Sequence, residues 1–288
     1  MGTARRALVL GGGGVTGIAW ETGLLHGLAE AGVDLASADV VVGTSAGSVV
    51  GAQLLSGVAL PDLFQEQLRD ATSEVAAKMS LGALARYVVA FAWPGDEVAA
   101  RARLGRSAIA ARTVPEAERR AIIASRLPSQ KWPQRRLLIT AVDADTGEAR
   151  VFDRESGVAL ADAVAASCAV PIVWPPVTIG GRRYMDGGIR SVTNADLATG
   201  CDRVVVLAPL DFGLRRSTRI SHQLASLGAG VSSIVVKPDA QARKAIGSNT
   251  LDPAHRAASA RAGYAQAATL VEQAGAIWSG IGASSLPA

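Results

Sequence analysis

Residues 40–55 read VVVGTSAGSVVGAQLL. Three β-branched residues run into Gly43-Thr44-Ser45-Ala46-Gly47, and an apolar, small-residue helical pattern follows. This predicts a strand, a sharp turn and a helix, with Ser45 at the turn. The spacing is G-x-S-x-G, that of a nucleophile elbow. A strand that reverses into a helix within a few residues strains the backbone of its central residue. Gly43 and Gly47 lack the Cβ atoms that would keep strand and helix apart. The turn presents the Ser45 hydroxyl at a helix N-terminus, where unpaired N–H groups and the helix dipole favour a developing negative charge. The competing reading is a chance match in a chain with 31 glycines.

Outward from this stretch, strand and helix patterns alternate. Residues 7–10, ALVL, form a short apolar run ending in Gly11-Gly12-Gly13-Gly14, and a helical pattern over 18–31 is stopped by Gly32. An amphipathic helix is expected over 60–79. The strongly apolar 81–93, LGALARYVVAFAW, reads as core, as a lid over a site or as an interfacial surface. Residues 101–126 are Arg-rich and helical, 136–142 and 149–153 read as a hairpin, and 160–167 as a small-residue helix ended by Pro171. Residues 177–184 turn at Gly180-Gly181 and lead into Met185-Asp186-Gly187-Gly188. Buried strands follow at 202–208 and 232–236, then helical patterns at 239–246 and 253–278. Such alternation implies a mainly parallel sheet with helices on its faces. No internal repeat or linker divides the chain, so one domain over 1–288 is expected.

Composition narrows the function classes. Nearly half of the 288 residues are apolar but only 4% are aromatic, which suits close packing of Ala, Val, Leu and Ile between helices and sheet. The net charge is +4, with arginines grouped at Arg101, Arg103 and Arg106, at Arg135 and Arg136, and at Arg215, Arg216 and Arg219. No aromatic residues interleave with them as a base-stacking surface would require, so nucleic acid is not an expected partner. They read as solvated faces, with a weak preference for anionic lipid surfaces as the alternative. Cys168 and Cys201 have neither metal-ligand spacing nor a disulfide framework, which points to a reducing compartment. The glycines at 11–14 and Glu21 argue against a signal peptide, and Arg6 breaks a myristoylation match. The uncharged stretches 40–61 and 163–181 are interrupted by Gly, Ser, Thr, Gln and Pro and read as buried core. A cytoplasmic chain is expected, with any membrane contact peripheral.

Gly12, Gly14 and Gly17 fit G-x-G-x-x-G between a strand and a helix, the context of a dinucleotide site. Such a site wants an acid at the end of the second strand. Asp34 and Asp39 both precede that strand, and no Lys-Ser/Thr follows the glycines to make a P-loop. The loop instead suits an oxyanion hole, because backbone N–H groups without side chains can approach a carbonyl oxygen as it gains charge. Ser45 also needs a base. His26, His222 and His255 lie in helical patterns, and none follows a late strand. Asp186, after a short strand and before Gly187-Gly188, is the better candidate. A carboxylate accepts a serine proton when both are held at hydrogen-bond distance in a dry site; a plain turn aspartate is the alternative.

GGGVTG at 12–17, GTSAG at 43–47 and DGG at 186–188, with ASCAVP at 166–171 and WPPV at 174–177, resemble in order and spacing the patatin-like phospholipases. The resemblance covers about residues 7–207. It implies a patatin-like three-layer α/β/α fold with a mainly parallel central sheet, related to the α/β hydrolases. It further implies a lipid ester substrate, a Ser45–Asp186 dyad, oxyanion N–H groups from Gly13 and Gly14, and neither metal nor organic cofactor. One position departs from the family: Arg or Lys usually precedes the last glycine of the loop, and here Thr16 does. That departure weakens the expectation of a phospholipid head group more than that of an ester. The competing class is a non-catalytic module of the same fold that regulates or binds lipid. The helical part at 239–278 carries no motif of the family.

Overall fold

The computed structural model describes residues 4–69, 77, 79–212 and 216–280. In chain order the elements are β1 (Arg6–Leu10), α1 (Gly14–Glu30), β2 (Val40–Thr44), α2 (Ala46–Leu54), α3 (Leu60–Leu68), α4 (Leu81–Ala92), α5 (Glu97–Ile109), α6 (Glu116–Ser125), β3 (Arg136–Asp143), β4 (Ala149–Phe152), α7 (Leu160–Ser167), β5 (Val177–Ile179), β6 (Arg182–Asp186), β7 (Arg203–Leu207), α8 (Ile220–Ser226), β8 (Ser232–Val236), α9 (Ala240–Ile246), α10 (Arg256–Ala267) and α11 (Val271–Ser279). The eight strands form one sheet in the order β5-β6-β3-β2-β1-β7-β8, with β4 paired to β3. Strands β3, β2, β1, β7 and β8 run parallel; β4, β5 and β6 join antiparallel. This is the mixed, mostly parallel sheet flanked by helices that the alternating pattern predicts.

The central strands are apolar on both faces because both are covered, as parallel sheets require. Leu8, Leu10, Val41, Ile139, Val205 and Leu207 belong to the larger core, shared with α1, α2, α7 and α11. Their alternate neighbours Ala7, Val9, Val42, Val204 and Val206 belong to the smaller core. That face is closed thinly, by a short turn around Ala195 and Ala198 and by Ile220 of α8. All three loops that carry the glycine, serine and aspartate motifs meet at one end of the central strands. β1 ends in the glycine run and β2 in Ser45. β6 ends in Asp186, which is in register with Ala141 of β3.

Several element boundaries differ from the sequence reading. Helix α1 starts within the glycine run, where the Gly13 carbonyl already accepts the Gly17 N–H at 2.8 Å. The helix expected over 60–79 ends at Leu68, with Arg69 extended; residues 70–76 and 78 lie outside the described residues. Residues 101–126 divide into α5 and α6 at Pro115, which caps α6. Residues 253–278 divide into α10 and α11. The core reading of 81–93 is overturned: only Ala83 and Ala90 of α4 are buried, and Leu81, Leu84, Val88, Val89 and Trp93 are exposed. Arg101 is likewise no solvated face. It is buried, and its Nε donates to the Gly147 carbonyl at 2.7 Å.

The closest approach at the elbow is Gly47, where a Cβ would sit 2.1 Å from the Leu10 carbonyl oxygen. The oxygen belongs to the β1 backbone, so it cannot yield cheaply. Gly47→Ala is expected to destabilise the fold by about 3 kcal/mol or more, the upper range of overpacking. Gly51→Ala, whose Cβ would meet side-chain atoms alone, Leu137 Cδ1 at 3.0 Å and Val41 Cγ1 at 3.2 Å, is expected to lose far less. Urea unfolding of both variants checks the contrast.

Candidate active site

Ser45 has φ 52° and ψ −114°, a backbone conformation that L-residues with side chains rarely hold. It persists because both polar groups of its peptide backbone are tied down. The Ser45 N–H donates to Ser167 Oγ at 2.9 Å. The Ser45 carbonyl accepts from the Ser48 N–H at 2.9 Å, from Ser48 Oγ at 2.6 Å and from Cys168 Sγ at 3.3 Å. Burial, reinforced by the nearby Asp186 carboxylate, pushes the Cys168 thiol up to about 11, so it keeps the proton it donates. Over-determination of this kind is what holds a strained residue at a turn.

The same short turn reaches Asp186. The Ala169 carbonyl accepts the Asp186 N–H at 3.0 Å, so residues 167–169 hold the backbones of both Ser45 and Asp186. A buried polar cluster holds the two from the other side. Thr140 Oγ1 donates to Thr44 Oγ1 at 3.0 Å, and Asn194 Nδ2 lies 3.0 Å from Thr44 Oγ1, 3.3 Å from Thr140 Oγ1, 2.8 Å from the Ser191 carbonyl and 3.4 Å from the Gly187 carbonyl. A side chain at position 187 would collide with this cluster, since its Cβ would stand 2.2 Å from Thr140 Oγ1. Thr44, Thr140, Ser167 and Asn194 were not legible as site residues; lone polar residues in apolar runs carry no spacing signal.

The Asp186 side chain accepts the Gly188 N–H at 2.7 Å, and the Ser45 side chain lies beside it. Burial lifts its pKa from 3.8 to about 7, with the Ser45 side chain and the Gly188 N–H opposing the rise. Tyr87, from α4, lies near enough to Asp186 for that charge to add to the rise which burial imposes on its own pKa, and its hydroxyl donates to the Pro171 carbonyl at 3.4 Å. Beside the Asp186 turn opens a cavity, continuous with solvent, whose walls include Tyr87, Phe91, Gly188, Arg190, Val192 and Phe212.

In the glycine run, the Gly11 N–H meets the Leu207 carbonyl at 2.9 Å and Glu21 Oε1 at 2.9 Å, and the Gly12 N–H donates to the Val192 carbonyl at 2.7 Å. Gly12 lies beside the serine, since a Cβ there would be 3.7 Å from Ser45 Cβ. Among the described residues the N–H groups of Gly13, Gly14 and Ala46 have no hydrogen-bond partner. Glu21, in the sequence only a charge against a signal peptide, is fully buried; burial raises its pKa well above the usual carboxylate range, and its Oε2 lacks a partner among the described residues.

The histidines are engaged elsewhere. His26 packs against Phe64 at 4.9 Å and Tyr264 at 5.4 Å and lies 3.6 Å from Glu30. His255 meets the Ala245 carbonyl at 2.9 Å, and His222 is exposed on α8. Asp34 and Asp39 are also committed: Asp34 accepts the Ala36 N–H at 3.0 Å, and Asp39 the Arg6 N–H at 2.7 Å, before β2 begins.

The model of the family described as patatin-like phospholipase matches residues 8–199 of the 288, more than half of the chain. The chain belongs to the patatin-like phospholipase family. Among solved structures, VipD from Legionella pneumophila is similar at a TM-score of 0.48 and 14% identity, over 94% of this chain and 67% of VipD. The type III effector protein ExoU is similar at 0.41 and 17%, over 95% of this chain and 53% of ExoU, so the chain spans about half of ExoU's length. No curated protein matches. In this patatin-like chain, the loop position that the family usually gives to a cation holds the buried Thr16, whose hydroxyl lies 3.3 Å from the Thr250 carbonyl. Thr250 also accepts the Thr16 N–H at 3.2 Å, which ties the region after β8 to the glycine loop.

Folding raises the Asp186 pKa from 3.8 to about 7. The folded state thus holds this proton more tightly than the unfolded chain, and the stability involved is complete below pH 4 and is lost as pH rises through 7. Asp186→Asn, which never bears the charge, is expected to melt above wild type at pH 8.5. The gap should close toward pH 4, as thermal melts across that range check.

Proposed function

We propose that this chain is a serine acyl hydrolase of lipid-like carboxylic esters in which Ser45 and Asp186 form the catalytic dyad. Family membership supports lipid hydrolysis in general. The observation that carries the finer reading is the strained Ser45 turn, whose side chain lies beside a buried carboxyl group lifted to about 7. A base poised near neutral pH is matched to proton transfer in a way that a carboxylate near 4 is not.

In this mechanism Ser45 Oγ attacks the ester carbonyl carbon while its proton passes to Asp186. The carbonyl π electrons move onto oxygen, where the N–H groups of Gly13, Gly14 and Ala46 receive the charge; one such donor is typically worth about 10²–10³ in rate. Collapse of the tetrahedral adduct expels the alkoxide, which takes the proton from Asp186 and leaves an acyl-Ser45 ester. Asp186 then draws a proton from water, the hydroxide adds to the acyl carbon, and the released Ser45 alkoxide recovers that proton. Each oxyanion donor is backbone and the base is a carboxyl group, so these steps use no histidine.

Wild type is expected to hydrolyse p-nitrophenyl esters of fatty acids with a rate that rises with pH through an ionisation near 7. Ser45→Ala should abolish turnover, and Asp186→Asn should lower kcat about 10²–10⁴-fold and remove the ionisation. A folded wild type that turns over no ester, or a Ser45→Ala variant as active as wild type, would overturn the reading.

A further inference from the structure

Helix α4 has two dissimilar sides. Ala83 and Ala90 are buried, and Tyr87 and Phe91 line the cavity beside the Asp186 turn. The opposite side shows Leu81, Leu84, Val88 and Val89 to solvent, followed by Trp93; their exposures run from 51% to 86%. Phe212, a further wall of the cavity, is 60% exposed. A contiguous apolar surface of this kind marks a contact with a partner or a membrane rather than scattered surface residues.

The charges around it select the occupant. Arg86 is the one charged residue of α4; it is exposed and has no partner among the described residues. Arg216 and Arg219, also exposed, flank Thr218, which lines the same cavity. The neighbouring acids are engaged: Asp96 caps α5, Glu97 lies 3.7 Å from Arg101 and accepts from Ser217, and Asp211 pairs with Lys237. Apolar side chains ending in a tryptophan and bordered by arginines match the boundary between acyl chains and anionic head groups. Arg103 fixes the end of the helix, its guanidinium donating to the Ala90 carbonyl at 3.0 and 3.1 Å and to the Trp93 carbonyl at 3.0 Å. The surface is therefore anchored to α5.

We propose that the outer face of α4, with Phe212, docks this protein onto an anionic lipid bilayer and places the mouth of the cavity against the membrane. Delivery of an ester to Ser45 by this route rests on the hydrolase reading, whereas docking itself does not. The test is therefore run on binding, without turnover.

The whole chain is to be sedimented with vesicles of phosphatidylglycerol and phosphatidylcholine, and with phosphatidylcholine vesicles alone. Wild type is expected to bind the anionic vesicles at least ten-fold more tightly. Leu84→Glu combined with Val88→Glu should weaken that binding at least ten-fold, Arg86→Gln should narrow the preference for anionic lipid, and Val58→Glu, at an exposed apolar residue outside α4, should change neither. Trp93 emission should shift to the blue on addition of anionic vesicles, and Trp93→Phe should remove that part of the shift. Wild type that does not sediment with anionic vesicles, or a double variant that binds as wild type does, would overturn the proposal. So would a dimer that the double variant converts to monomer, since the occupant would then be a second copy of the chain.

Discussion

The hydrogen bonds that residues 167–169 make to the backbones of Ser45 and Asp186 carry the arrangement of this site. Ser45 at φ 52° would relax if its N–H and carbonyl were released, and Ser167 and Cys168 hold both. Ala169 fixes the Asp186 backbone in the same turn. A serine from the end of a parallel strand and an aspartate from an antiparallel hairpin are thereby positioned by one short segment. Neither depends on a long loop for its place. Gly187 has to lie flat on Thr140 for the same reason, because the aspartate turn is pressed onto the polar cluster that ends β2 and β3.

Burial sets the electrostatics. Asp186 is almost wholly withdrawn from water, with the Gly188 N–H and the Ser45 side chain against it. Desolvation outweighs them and leaves the carboxyl poised near neutrality. The protein thus carries a carboxylate it would fold more easily without, which is the usual relation between stability and a tuned site. Glu21 is a second case, its pKa raised by burial beneath the glycine run, with one oxygen on the Gly11 N–H.

Much of this was legible in the sequence because its signals were local. The VVV run, the glycines around Ser45 and the strand before Asp186 each encode a turn that only certain residues can make. The fold class follows from the alternation of strands and helices, and the family resemblance covers the same motifs. Residues whose role depends on distant neighbours were not legible. Ser167, Cys168, Asn194 and Glu21 gain their meaning only once β2, β6 and α7 are assembled. The segment 81–93 stayed open between core, lid and interfacial surface for a related reason: composition does not record where the core ends. Arg101 misled, since a buried guanidinium satisfied by a carbonyl looks in sequence like any surface arginine.

The central claim is that Ser45 is an activated nucleophile and that Asp186 activates it. Reaction of the folded protein with a fluorophosphonate, with the modified residue located by mass spectrometry, tests this without knowledge of the substrate. A single adduct on Ser45 is expected, none in Ser45→Ala, and formation slowed at least a hundred-fold in Asp186→Asn, in line with the loss of a general base. An unlabelled wild type, or labelling of Asp186→Asn at the wild-type rate, would contradict it.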